Sequence, residues 1–99
     1  MQAFKVLLPD MTSPGLLGAK RIGYRLGSRV KAKGLRSANP HGGGKLHVAR
    51  TEQDARGLAG YLRRAYKIKA RIFLCEIGAV IDITSGKITT DRVRLLKEV

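Results

Sequence analysis

Acidic residues are scarce in this chain: seven Asp and Glu stand against twenty Lys and Arg in 99 residues, a formal net charge of +13. Cysteine is scarcer still. Cys75 is alone, so no internal disulfide can form and nothing points to an oxidising compartment. With two histidines, His41 and His47, it lacks the ligand spacing of a metal site. No apolar run approaches the ~18 residues of a membrane-spanning helix, and the first residues carry no charged-then-apolar signal pattern. A cytoplasmic site of action is the default expectation. The carboxylates Glu76 and Asp82 form no coupled pair for acid–base work. Zinc-finger spacing and the RNA-binding signature of paired strand aromatics are both missing. No cofactor is implied by these features.

What is present is positive charge, laid on a chain that should fold. Hydrophobic residues make up 43%, and a domain this long buries roughly 60–68% of the surface of its unfolded chain. Such charge repels itself in a compact state, and an anionic partner relieves the repulsion. Nucleic acid, DNA or RNA, is the first expectation, followed by an acidic protein or a ribonucleoprotein complex. The charge is also uneven. Residues 1–50 hold ten basic residues against the single acid Asp10, and residues 51–99 hold ten against six.

Hydrophobic periodicity orders the chain as one α+β domain, a largely antiparallel sheet with one main helix packed on one face. Gln2 to Leu8 reads as a strand, ended by Pro9 and Asp10. Leu16 to Arg21 is ambiguous. From Ile22 to Lys33, Ile22, Tyr24, Leu26, Ser28, Val30 and Ala32 alternate with Gly23, Arg25, Gly27, Arg29, Lys31 and Lys33. This predicts one strand, or two short ones, with an apolar face and a basic face. Gly34 to Lys45 is loop, and Lys45 to Ala49 a short strand. Thr51 caps a helix to Tyr66, with Ala55, Leu58, Ala59, Leu62, Ala65 and Tyr66 on one stripe. Ile68 to Ile77 and Ala79 to Ile83 read as strands. Thr84 to Lys87 reads as a turn, Ile88 to Thr90 as a return, and Asp91 to Val99 as either strand or short helix.

Two clusters of cations are candidate sites. Lys20, Arg21, Arg25, Arg29, Lys31, Lys33 and Arg36 follow one another with no intervening acid. On a strand, successive same-face residues lie ~6.5–7 Å apart, a spacing that phosphates along a backbone match. Arg63, Arg64 and Lys67, followed by Lys69 and Arg71, crowd the helix end, where cations also complement the helix dipole. Tyr61 and Tyr66 lie among them and are able to stack on bases, although helical spacing assigns Tyr66 to the core. The segment Pro40-His41-Gly42-Gly43-Gly44-Lys45 offers bare amides to an anion. It is not a P-loop, because Asn39 stands where a glycine is required and Leu46 where a Ser or Thr is required. Recognition built from these parts reads phosphate and shape rather than base sequence.

Ile22-Gly23-Tyr24-Arg25-Leu26-Gly27, Gly34-Leu35 and the run from Gly44 to Thr51 with Asp54-Ala55 follow an order that resembles the ADP-ribosyltransferase-like fold. The ending Lys87 to Val93 is similar to the closing strands of its small members. The resemblance implies a domain that binds a nicotinamide dinucleotide, with Arg25 at the nucleotide-binding position of the first motif and Thr51 near the hydroxyl of the second. The family's catalytic glutamate has no counterpart, since Glu76 sits inside a strand pattern without the flanking residues. Three functions are therefore open: a non-enzymatic nucleic-acid-binding module, this dinucleotide-binding domain, and a small viral or mobile-element protein that inhibits or assembles with a host complex.

Overall fold

The computed structural model describes residues 1–13, 23–31 and 46–99, Lys31 by its backbone alone. Seven strands and one helix follow in the order β1 (Gln2–Leu7), β2 (Arg29–Lys31), β3 (Leu46–Ala49), α1 (Glu52–Tyr66), β4 (Arg71–Ile77), β5 (Val80–Thr84), β6 (Lys87–Thr90) and β7 (Arg92–Glu98). The strands form one sheet in the order β2-β7-β4-β1-β3-β6-β5, and every pairing between strands is antiparallel.

This sheet cannot be flat. β6 and β7 stand four strand spacings apart in that order, ~19 Å across a flat sheet. Yet only Asp91 separates Thr90 from Arg92, and two residues of extended chain span at most ~7 Å. The sheet must therefore curl enough to bring the end of β6 beside the start of β7. The segment from Arg71 to Glu98 does this as one bent hairpin. β4 and β7 pair at its base, β5 and β6 pair at its tip, and bulges lie at Leu74/Cys75 and Val80/Asp82. Bulges bend strands and sharpen their twist, which is how such corners are made. The tip turns through Ser85 and Gly86, both at positive φ, as the short turns of hairpins require.

The inside of the curl is the main core. Ala3 and Leu7 of β1 meet Leu46, Val48, Phe73, Cys75, Ile77, Ile88, Val93 and Leu95, with Tyr24 closing one side. β4 lies between β1 and β7; Phe73, Cys75 and Ile77 on its inner face are buried, and Glu76 on the other face is exposed. Lys5 belongs to the inward set by alternation and is buried with it. Its ammonium donates to the His47 carbonyl at 2.7 Å and lies 5.2 Å from the centroid of the Tyr24 ring. Burial pulls the Lys5 pKa down to about 8, against the opposing influence of the neighbouring Cys75. Burial likewise pushes the Cys75 thiol up to about 11 and raises the Tyr24 phenol. The Tyr24 hydroxyl has no hydrogen-bond partner among the described residues.

A second cluster joins residues of the helix to residues of β1, β3 and β4. Val6 contacts Ala55 and Leu62, and Phe4, Ala49, Ala59, Ile68, Ala70 and Ile72 pack around them. The helix starts at the expected place for the expected reason. The Thr51 hydroxyl accepts from the Asp54 amide at 3.1 Å and donates to the Asp54 carboxylate at 2.8 Å, satisfying a free amide of the first turn. Lys67, in the left-handed conformation, ends it. Three positions of the expected apolar stripe are open to solvent, Leu58, Ala65 and Tyr66. Leu58 falls at the margin of the stripe set by Ala55, Ala59 and Leu62. Tyr66 is at a core-facing angle but lies one turn beyond Leu62, the last helix residue of the cluster.

The alternation from Ile22 to Lys33 does not form a single strand. Gly23 and Leu26 make single-residue bridges to Thr12 and Leu95, and only Arg29–Lys31 of the described residues is strand. Between them Gly27 adopts φ 80° and the Ser28 amide donates to the Arg25 carbonyl at 3.1 Å. A turn therefore interrupts the period, and Leu26, expected on the apolar face, is 54% exposed. The terminal segment, open between strand and helix, is strand β7. Among the described residues no helix is long and apolar enough to cross a membrane.

Candidate nucleic-acid interface

Strand β2 is at one edge of the sheet, against β7. Its register sets Arg29 opposite Arg94, Val30 opposite Val93 and Lys31 opposite Arg92. Residues directly opposite in an antiparallel pair project on the same side. Val93 is fully buried and Val30 packs against the same core, so Arg29 and Arg94 project away from the core, and both are exposed. Arg92 follows Arg94 along the outer face of β7 by the period of two. Glu76 of β4 stands opposite Arg94 on its other side.

These residues border a shallow, open depression of ≈ 70 Å³, lined by Arg29, Arg92, Arg94, Glu76, Ile77 and Gly78. Gly78 leaves room there for the side chains of Arg92 and Asp91. A Cβ at this position would lie 2.7 Å from Arg92 Nε and closer still to the Asp91 carboxylate. Asp91 is held in turn by the Ala79 amide at 2.9 Å. Arg92 Nε lies 3.9 Å from that carboxylate, a loose contact between half-exposed groups. Arg29 and Arg94 have neither an ion pair nor a hydrogen-bonded side-chain partner among the described residues. Like charges placed directly opposite destabilise a strand pair. Two unit charges ~6 Å apart in water repel by ~0.7 kcal/mol. The edge thus holds guanidinium donors close together at a small standing cost to the fold. Chemically, such an array can chelate phosphate oxygens through paired N–H groups.

A second basic surface lies at the end of α1. Arg63, Arg64 and Lys67 are exposed there, and Tyr61 and Tyr66 stand 49% and 55% exposed beside them. Their ring centroids are 6.0 Å apart with planes at 80°, an edge-to-face pair. Tyr66 is thus a surface residue, not part of the core, because the last helical turn outruns the cluster beneath it.

Of the residues expected from sequence to bind, Arg29 and the backbone position of Lys31 are on the β2 edge, and Arg63, Arg64 and Lys67 are at the helix end. Arg25 is exposed but separated from Arg29 by the Gly27 turn, so alternation does not align the two. Lys20, Arg21, Lys33, Arg36 and Lys45 lie outside the described residues, as does the glycine-rich segment from Pro40. Arg92 and Arg94 were not among the expected binders. Their signal is the alternation Arg92-Val93-Arg94-Leu95, which marks a strand with one basic face. Thr51 is engaged as the helix cap. The His47 carbonyl accepts from the Lys5 ammonium, and the His47 Nδ1 lies 3.3 Å from Thr89 Oγ1. No family model, curated protein or solved structure matches the chain.

Proposed function

We propose that this chain is a small, non-enzymatic nucleic-acid-binding protein acting in the cytoplasm, whose β2–β7 edge meets the sugar–phosphate backbone of DNA or RNA. One observation carries the proposal: Arg29 is opposite Arg94, with Lys31 at the position opposite Arg92, on an exposed edge where, among the described residues, Glu76 and a loose contact from Asp91 compensate in part. An array of this kind lowers stability in the free protein and recovers it when a polyanion is bound. The net charge of +13 supports the same partner.

The registers extend this picture. Val6 is opposite Ile72, Phe4 opposite Leu74, Gln2 opposite Glu76, and Glu76 opposite Arg94. All of these project to one face of the sheet. In this reading α1 packs on that face through Phe4, Val6 and Ile72, and leaves the part beyond Glu76 open as the binding surface. Guanidinium groups reach phosphates without reading bases, so affinity is broad in sequence and strong in salt dependence.

The first test is the ultraviolet absorbance of the protein as purified without nuclease: co-purifying nucleic acid that is released by high salt is the expected result. Protein free of nucleic acid at low salt, with partners that survive nuclease treatment in a pull-down, would replace this function with docking on an acidic protein.

A further inference from the structure

The end of α1 holds a feature for which phosphate contacts alone give no role. Tyr61 and Tyr66 are both about half exposed, perpendicular to one another, and set among cations. Between Asp54 and Glu76 the chain has no acid. Arg56 is taken up by Glu52 at 2.9 Å and Arg71 by Glu98 at 2.8 Å. Arg63, Arg64, Lys67 and Lys69 have no ion pair among the described residues. Two large aromatic faces and four uncompensated cations therefore share one helix end.

We propose that this end of α1 is a stacking platform for unpaired bases, so that the preferred partner is single-stranded nucleic acid. The inference rests on the nucleic-acid function above and narrows it. Its argument is geometric. Neighbouring bases in a duplex lie in parallel planes ~3.4 Å apart, and their faces are already covered. Rings inclined at 80° cannot both lie flat against such a stack. A single strand whose bases splay can place one base on each ring while its phosphates run between Arg63, Arg64 and Lys67. Every base has a π-face, so the platform is tolerant of sequence, in keeping with an interface that offers no base-reading pattern.

The chain has no tryptophan, and its third tyrosine, Tyr24, is buried. Ultraviolet emission of the wild-type protein therefore reports Tyr61 and Tyr66 when a ligand arrives. The experiment titrates a labelled oligothymidylate, and a duplex of equal length, into the wild type, the Tyr61→Ala/Tyr66→Ala variant and the Tyr61→Phe/Tyr66→Phe variant. Loss of one base stack weakens binding about fivefold or more. The expected results are quenched tyrosine emission in the wild type, at least about tenfold weaker single-strand binding in the alanine variant, and near wild-type binding in the phenylalanine variant. Duplex binding should change less than about twofold throughout. Both side chains are exposed, and circular dichroism checks that the alanine variant is folded. Unmoved tyrosine emission at saturating oligothymidylate, or an alanine variant that binds the single strand as the wild type does, overturns the platform and leaves the arginine edge standing. A wild type that binds neither ligand overturns both.

Discussion

Lys5 is the residue whose replacement has the most calculable consequence. Its pKa falls from 10.5 to about 8 in the folded protein because it is buried. At about 1.4 kcal/mol per unit, the shift corresponds to roughly 3 kcal/mol by which folding disfavours the ammonium. Below pH 8 the lysine is charged in both states and the fold bears this penalty in full. Between pH 8 and 10.5 the unfolded chain keeps the proton and the folded chain releases it, so stability rises with pH. Cys75 and Tyr24 act in the opposite sense. Their folded pKa values are raised, from 9.0 to about 11 for the thiol and upward from 10.0 for the phenol. They therefore lower stability once their unfolded forms ionise. Lys5 alone contributes about 1 kcal/mol between pH 8 and 9, and Cys75 offsets about a third of it, so the net expectation is a rise of about 0.6 kcal/mol, a broad maximum near pH 9–10, and a fall above it. For a domain of this size that rise is about 2–5 °C in Tm. Lys5→Met keeps the apolar stem and removes the charge, at the cost of the bond to the His47 carbonyl, ~1 kcal/mol. The variant should be about 1–2 kcal/mol more stable at pH 7 and should lack the rise between pH 8 and 9. Thermal unfolding across pH 6.5–10.5 measures both. A wild-type Tm that is flat or falling from pH 8 to 9, or a Lys5→Met variant less stable at pH 7, would refute the account of the buried ammonium.

Two further substitutions test the local reasoning. Thr51→Ala removes the hydroxyl that holds the Asp54 amide and should cost about 1 kcal/mol in chemical denaturation, with Thr51→Ser close to neutral. Gly78→Ala forces a Cβ against Arg92 and Asp91. It should lower stability by about 1–3 kcal/mol and, by displacing Arg92, weaken nucleic-acid binding in a fluorescence anisotropy titration.

The sequence was most legible where one local period decided the outcome. The alternation of Gln2 to Leu8, the stripe from Ala55 to Leu62, the cap at Thr51 and the Ser85-Gly86 turn all have causes within a few residues. Legibility failed where long-range pairing chose between local options. Gly27 stands in the alternating run of Ile22 to Lys33 as one more small residue, but only its φ of 80° turns the chain. Tyr66 has the angular position of a core residue, yet burial depends on where the cluster under the helix ends. The arginine edge was half visible. Arg29 and Lys31 stood out as an acid-free run, whereas Arg92 and Arg94 join them only because β2 pairs with a strand some sixty residues later. No local pattern encodes that register.

The central claim is that Arg29 and Arg94 face a polyanion across the β2–β7 edge, and the salt dependence of binding tests it most directly. The slope of log affinity against log salt counts the phosphates neutralised, at about 0.7 per contact for single strands and 0.9 for duplex. The Arg29→Ala/Arg94→Ala variant should bind more weakly at low salt with a slope shallower by about 1.4–1.8, while its Tm is equal to or above that of the wild type because a like-charge pair is gone. An unchanged slope and affinity in that variant would contradict the account.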